Sequence, residues 1–451
     1  MHPRTLVFGL LGCALSAQAP VAEVSNIKWR GSLWASGITQ DRSTSDASLV
    51  FRPLESGEDR FTLDGLTLGA DVPLPEGFSL KFTLMAGQLA KSINLGSGDT
   101  GSIAWPEAQL IWTGKSDTVR IGRMLTSIGM EFTDQTAGVA ASKGILYTFA
   151  DPLAQVGVNW HHAFTPVWSS DVWVFNGEDQ VADNNRGKTL GVGLTYNHGG
   201  SADNYLSLQA YRGPEQSGAG AEGRLRERLC LMGQWVWGAA TLQWEGTFGR
   251  ESFAPGALAP EARKASWGGG GAVFRYTLGE RSALFARAES LKDSAGVRLG
   301  IDKTIAPLAN QVGADLRLDS AAFGYERKYG RTFLRLEVRQ DRLNRELLDK
   351  EGEAFRSGTS ATFLVGTSIA STAASSSSPV CLRASASRSR CSFCRSACVS
   401  LPSDSTSSPM YISKMLRRRC SCRSASRRRR KLPRRRPHSC RASCISLRIS
   451  G

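Results

Sequence analysis

The sequence predicts an all-β fold, a transmembrane antiparallel β-barrel of about sixteen strands. Three observations predict it. Side chains alternate with a period of two, the repeat of a strand, whose successive residues face opposite ways. The alternating segments run about 9–12 residues, longer than the five or six usual in soluble strands. Tryptophans gather near segment ends, as Trp29 and Trp34, Trp105 and Trp112, Trp160 and Trp168, and Trp235 and Trp237 do, a distribution suited to two interfacial girdles.

The segments follow in chain order. The first, 26–38, holds Trp29 and Trp34, and 60–71 comes next. In 78–90, Phe78, Leu80, Phe82 and Leu84 share one face and Lys81 lies on the other. Segment 103–113 has Trp105 and Trp112 near its ends, and 117–124 contains Arg120. Residues 125–154 then break the alternation with small residues, and predict a loop or short helix that folds into the lumen, or else an ordinary external loop. Alternation resumes in 155–164, 168–177, 187–197, 203–213, 225–237 and 240–249. Segment 266–277 contains the run Gly268–Gly271, which predicts a bulge or tight bend. In 281–291, Leu284, Ala286 and Ala288 alternate with Phe285, Arg287 and Glu289; in 312–327, Leu316 and Leu318 alternate with Asp315, Arg317 and Asp319. In 331–341, Leu334, Leu336 and Val338 alternate with Arg335, Glu337 and Arg339, and 358–370 completes an even set of sixteen. An even number lets a single chain close, and closure leaves no backbone amide unpaired in hydrocarbon.

Both ends of the chain read differently. Residues 1–19 pair a basic Arg4 with a short apolar run, Leu6–Leu15, and small residues, as a secretory signal peptide does. The whole chain carries +16, but residues 371–451 alone hold 17 Arg, 2 Lys and a single acid, Asp404, which leaves residues 1–370 at −2. Eight of the ten cysteines and none of the eleven tryptophans lie in that tail, and Ser fills 23 of its positions. Its basic runs, such as Arg427–Arg430, would hold phosphate without sequence preference, so a nucleic-acid function rests on the tail alone and no specific nucleic acid is expected. The tail reads as a low-complexity, disordered segment made by a frameshift or lost stop, with a genuine cationic tail as the alternative.

Enzymatic and metal chemistry find no motif. There is no G-x-S-x-G and no H-E-x-x-H, and the glycine run opens no phosphate-binding helix. His161 and His162 are adjacent in a strand, so they face opposite ways and cannot readily share one metal. No metal, cofactor or catalytic residue is predicted, and the lone body cysteine, Cys230, reads as a small buried hydrophobe.

The run 117–197 contains Gly122-Arg123, Gly129-Met130-Glu131, Asn176-Gly177 and Asp183-Asn184-Asn185 in that order. In these motifs and their spacing the chain resembles a family of Gram-negative outer-membrane proteins, the β-barrel porins. It departs from the family at Thr136-Ala137-Gly138, where an Asn is common. Asn176, Gly177, Asp183, Asn184 and Asn185 also suit tight turns, because these residue types tolerate positive φ. The resemblance implies a water-filled barrel in the outer membrane that passes small hydrophilic solutes or ions, surrounded by outer-membrane lipid, with a homotrimer left open. The polar members of the alternating sets would then line the pore: Lys81, Arg120, Arg287, Glu289, Arg317, Arg335, Glu337 and Arg339. Glu131 and Asp134 would stand on a constricting loop opposite the arginines, and the excess of Arg predicts a mild anion preference. The competing reading is a barrel with a plugged lumen, acting as an adhesin or structural anchor.

Overall fold

The computed structural model describes residues 26–42, 51–55, 59–94, 101–218, 220–253, 264–299, 315–349 and 351–370. The predicted signal peptide, 1–19, and the tail, 371–451, lie outside the described residues. Sixteen strands form one closed sheet: β1 Lys28–Gln40, β2 Arg60–Pro73, β3 Phe78–Ala86, β4 Ile103–Thr113, β5 Asp117–Leu125, β6 Ala154–Ala163, β7 Trp168–Glu178 and β8 Thr189–Asn197, then β9 Tyr205–Pro214, β10 Leu225–Trp237, β11 Ala240–Ser252, β12 Lys264–Gly279, β13 Ser282–Asp293, β14 Leu316–Tyr329, β15 Thr332–Leu348 and β16 Ala354–Ala370. Each strand is antiparallel to its chain neighbours, and β1 pairs with β16, Trp34 opposite Gly366, to close the ring.

One rim has short turns, such as Gly238-Ala239 between β10 and β11 and Gly330-Arg331 between β14 and β15. Gly238 and Gly330 take φ of 59° and 63°, the left-handed conformation that a two-residue hairpin demands. The other rim carries the longer connections, among them 87–102, which includes helix α1 Gln88–Asn94, and 126–153. Helix α1 ends the predicted segment 78–90 early, because β3 stops at Ala86. No helix among the described residues is long and apolar enough to cross a membrane, and the strands do the crossing.

The alternation sorts as the sequence predicts. On β15, Leu336 and Val338 are 47% and 58% exposed on the outside, while Arg335, Glu337 and Arg339 are buried within. Outward aromatics, including Trp112, Trp160, Trp168, Trp235, Trp237 and Tyr329, crowd the short-turn rim as a girdle. Three expectations need correction. Trp34 belongs to no girdle: it points inward, buried against Gly65 and Gly366, which have no side chain to obstruct it. The run Gly268–Gly271 makes neither bulge nor bend; β12 pairs through it in unbroken register with β11 and β13. At the start of β14 the polarity is inverted. Leu316 and Leu318 face inward into an apolar cluster with Leu343 and Leu347, and Arg317 faces outward. An outward arginine is tolerated because Arg317 stands at the start of β14, beside the rim, where the cost is about 0–1 kcal/mol instead of about 2–4 at mid-bilayer.

Candidate functional site

The connection 126–153 folds into the barrel. An irregular backbone at this depth must find partners for its N–H and C=O groups, and here the barrel wall supplies them. Carboxylates accept from the N–H groups. Glu337 of β15 accepts from Ala141 N at 2.9 Å, Ser142 N at 3.3 Å and the Ser142 hydroxyl. Glu289 of β13 accepts from Ile145 N at 3.0 Å and Leu146 N at 3.2 Å, and Glu245 of β11 from Met130 N. Guanidinium groups donate to the C=O groups. Arg335 reaches Gln135 O at 2.8 Å, Ala140 O at 3.1 Å and Gly138 O at 2.6 Å; Arg287 reaches Ser142 O at 2.7 Å. Arg339 donates to Lys143 O, and Arg228 of β10 to Ala150 O.

Five of the eight predicted pore-lining residues, Arg287, Glu289, Arg335, Glu337 and Arg339, therefore point into the barrel but meet the segment instead of open water. Glu131 pairs with Arg287 at 2.8 Å and accepts from Gly144 N, so it does not oppose the arginine across a gap. Asp134 pairs with no arginine among the described residues; it accepts from Ser32 Oγ at 2.5 Å and from Thr136 N at 2.8 Å. Arg317 lies on the opposite face of the wall. Lys81 and Arg120 stand apart from the docked segment, paired with Glu107 at 2.6 Å and Asn159 at 2.6 Å.

Apolar packing fixes the segment as well. Leu146 begins a five-residue π-helical turn, Leu146–Ala150, closed by Asp151 N donating to Leu146 O at 2.9 Å. Its side chain fills the space left by the inward glycines of β12: a Cβ on Gly269 would come within 2.8 Å of it, and one on Gly271 within 3.2 Å. The glycine run thus makes room for the segment and does not bend the strand. Ile128 packs with Trp173, Phe175, Tyr211, Cys230 and Met232.

The family-motif residues hold neighbouring loops. Asn176 and Gly177 form no hairpin turn; they bulge from β7 between the pairs Gly157–Phe175 and Gln155–Glu178. Asp183, Asn184 and Asn185 have ordinary negative φ and act through side chains. Asn185 Nδ2 donates to Pro214 O and Gln216 O, both at 3.1 Å, and Asn184 Nδ2 to Glu215 O at 3.1 Å, joining loops 179–188 and 215–224. His161 and His162 separate onto two faces, with Asp171 and Asp117 as their respective partners. Among the described residues no group of three or more His, Cys, Asp or Glu is placed to hold a metal ion.

Several site residues escaped the sequence analysis. Arg226, Arg228 and Arg298 surround the Trp267 ring, their guanidinium carbons 5.9, 5.7 and 4.9 Å from its centroid. Asp151 faces Glu245, the two carboxyls sharing a hydrogen bond; burial raises the Asp151 carboxyl to about 7 against the pull of Arg228. Burial also lowers the Lys143 ammonium to about 8, against the opposing effects of Glu131 and Asp134. The period-two charges of "LRERL" on β10 were a signal for Arg226 and Arg228; nothing local marked Asp151.

The family model described as "Putative beta-barrel porin-2, OmpL-like" matches residues 26–371, the whole barrel. The chain belongs to this porin family. Its fold recurs in the outer-membrane channel DcaP of Acinetobacter baumannii, with 10% identity, a TM-score of 0.51, and coverage of 78% of this chain and 100% of that one. An anion-selective porin from Comamonas acidovorans aligns at 14% identity and a TM-score of 0.48, over 76% of this chain and 99% of that one. OmpT of Vibrio cholerae, recorded in a trimer form, aligns at 10% identity and 0.48, over 76% and 99%. No curated protein sequence matches the chain. The porin is an outer-membrane barrel, its short turns on the periplasmic side and its long loops outside by the rule for such barrels.

Proposed function

We propose that this porin passes small hydrophilic solutes and ions by passive diffusion, along a narrow path between the docked segment 126–153 and the inward wall of β1–β7. The observation that carries the proposal is the unequal use of inward charge. On β11, β13 and β15 the charges are consumed in holding backbone, whereas Arg30, Asp71, Lys81, Arg120, His161 and Asp171 remain partly exposed in the short-turn half. These basic groups have carboxylates or amides beside them: Asp71 at 3.3 Å from Arg30, Glu107 beside Lys81 and Asn159 beside Arg120, while the His161 ring contacts Asp171. Such a wall favours neither ion sign strongly, so selectivity is weak and the buried Arg287, Arg335 and Arg339, which suggested an anion preference, do not set it. On the long-loop side the path begins in a polar vestibule of about 300 Å³ lined by Asp151, Glu178, Glu215, Arg226 and Arg298.

Export through an N-terminal signal peptide, outer-membrane lipid around the apolar belt, and a non-enzymatic role complete the proposal. A homotrimer is checked by native mass spectrometry of the purified porin. Conduction is checked in planar bilayers under a KCl gradient. Small, discrete, ohmic steps with a reversal potential near zero are expected; a folded barrel that gives no steps overturns conduction and returns the anchor reading.

A further inference from the structure

The outward face above the apolar belt is unevenly charged. On β4 and β8, near the long-loop rim, it carries Ile103, Trp105, Leu190 and Val192. On β13–β15 it carries Lys292, Arg317 and Arg342, all exposed. The register sets Lys292 directly opposite Arg317, and Arg342 directly opposite Asp319. Like charges directly opposite one another destabilise a sheet, and nothing in the barrel's closure requires them here. Lys292 and Arg317 have only exposed carboxylates nearby, Asp315 at 3.5 Å and Asp319 at 3.0 Å, and Arg342 has no carboxylate partner among the described residues.

Directly below lies an apolar groove of about 760 Å³ on the lipid-facing side. Phe61, Phe323, Val338 and Phe363 form its walls, with Gly37 and Ala361 leaving it open. Asp319 and Phe323 are four residues apart on β14, about 13 Å at the rise of a strand. Cations therefore sit at headgroup height over a channel at acyl-chain height, both facing the external leaflet.

We propose that this face binds a phosphate-bearing lipid of the external leaflet, its phosphate held by Lys292, Arg317 and Arg342 and its acyl chain laid in the groove. Charge-assisted bonds from guanidinium and ammonium to phosphate provide the headgroup contacts, and their placement relieves the Lys292–Arg317 repulsion. The site lies outside the lumen and is independent of the conducting path.

The test uses the full chain in detergent, with diphosphorylated lipid A and its dephosphorylated form as probes and native mass spectrometry as the readout. The wild-type protein is expected to retain the phosphorylated probe. The triple variant Lys292→Gln, Arg317→Gln, Arg342→Gln is expected to weaken retention roughly 10- to 100-fold, on the ordinary worth of basic residues beside an anionic leaflet. Heat-modifiable gel mobility confirms that the variant is folded. Ala361→Phe, which fills the groove from the outside, is expected to weaken retention with the headgroup cations intact. Equal retention by the triple variant, or equal retention of the dephosphorylated probe, overturns the proposal. So does an Ala361→Phe chain that loses an oligomer while keeping the lipid, since the groove would then hold a second copy of the porin.

Discussion

The two halves of the inner wall use the same residue types to opposite ends. On β11, β13 and β15, Glu245, Arg287, Glu289, Arg335, Glu337 and Arg339 are buried, and every one of them except Glu245 makes at least two bonds to the docked segment. On β1, β3, β5 and β6, Arg30, Lys81, Arg120 and His161 keep part of their surface toward the lumen. The difference teaches that an inward charge is not by itself a pore-lining charge. Where a non-helical backbone crosses a barrel, alternating Arg and Glu match its alternating C=O and N–H groups, and the wall becomes a mount.

The comparison breaks most severely at Glu337. Glu337→Ala leaves Ala141 N and Ser142 N without their acceptor and removes the carboxylate 3.9 Å from Arg287. Uncoupling one member of a buried charged network costs about 3–5 kcal/mol. The expected result is a lower thermal midpoint together with larger, noisier single-channel conductance, partly restored in Glu337→Gln. A smaller effect is expected at Gly269→Val, whose side chain collides with Leu146 and with the Ser290 carbonyl. Overpacking of this kind costs about 1–3 kcal/mol and displaces the π-helical turn, which denaturant titration and conductance both report.

Acidity sharpens the comparison further. Asp151 has its carboxyl raised to about 7 when the segment is docked, and regains an ordinary carboxyl range when the segment leaves. The docked form therefore binds more protons than the undocked form from about pH 4 to pH 7, so docking weakens as pH rises through that window; above about pH 8 the Lys143 ammonium, lowered by burial, acts in the opposite direction. Glu289 adds repulsion once Asp151 ionises, while Arg228, Arg298 and the hydrogen bond with Glu245 oppose it. Conductance is expected to be lower at pH 5 than at pH 7.5, with the step lost in Asp151→Asn. On the open wall the expected effect is smallest in energy and largest in selectivity. Lys81→Glu with Arg120→Glu changes stability by about 1 kcal/mol or less, since both groups are partly solvated. It moves the reversal potential toward cations, whereas Arg317→Glu, on the outer face, leaves it unmoved.

The sequence carries the strands far better than it carries the site. A period of two over ten residues is a local property, so β4 and β10 fall where the alternation places them, at Ile103–Thr113 and Leu225–Trp237. The break at 125–154 was equally visible, because small residues without alternation cannot pair. What the segment docks against was not visible: Ala141 and Glu337 are 196 residues apart, and no local pattern records their meeting. Arg317 was misplaced for another reason. Alternation gives two faces without saying which is inward, and beside the rim Leu316 and Leu318 join the core inside, so hydrophobic no longer means outward. Trp34 shows the same limit, since only the glycines across from it on β2 and β16 reveal that there is room for an indole within.

Hydrogen exchange at the amides of Ala141, Ser142, Ile145 and Leu146 tests the central claim most directly, because these four N–H groups donate to Glu337 and Glu289. The docked segment predicts protection comparable to the strands of the wall, lost at Ala141 and Ser142 in Glu337→Ala. Exchange in the folded wild-type porin as fast as in an exposed loop would contradict it.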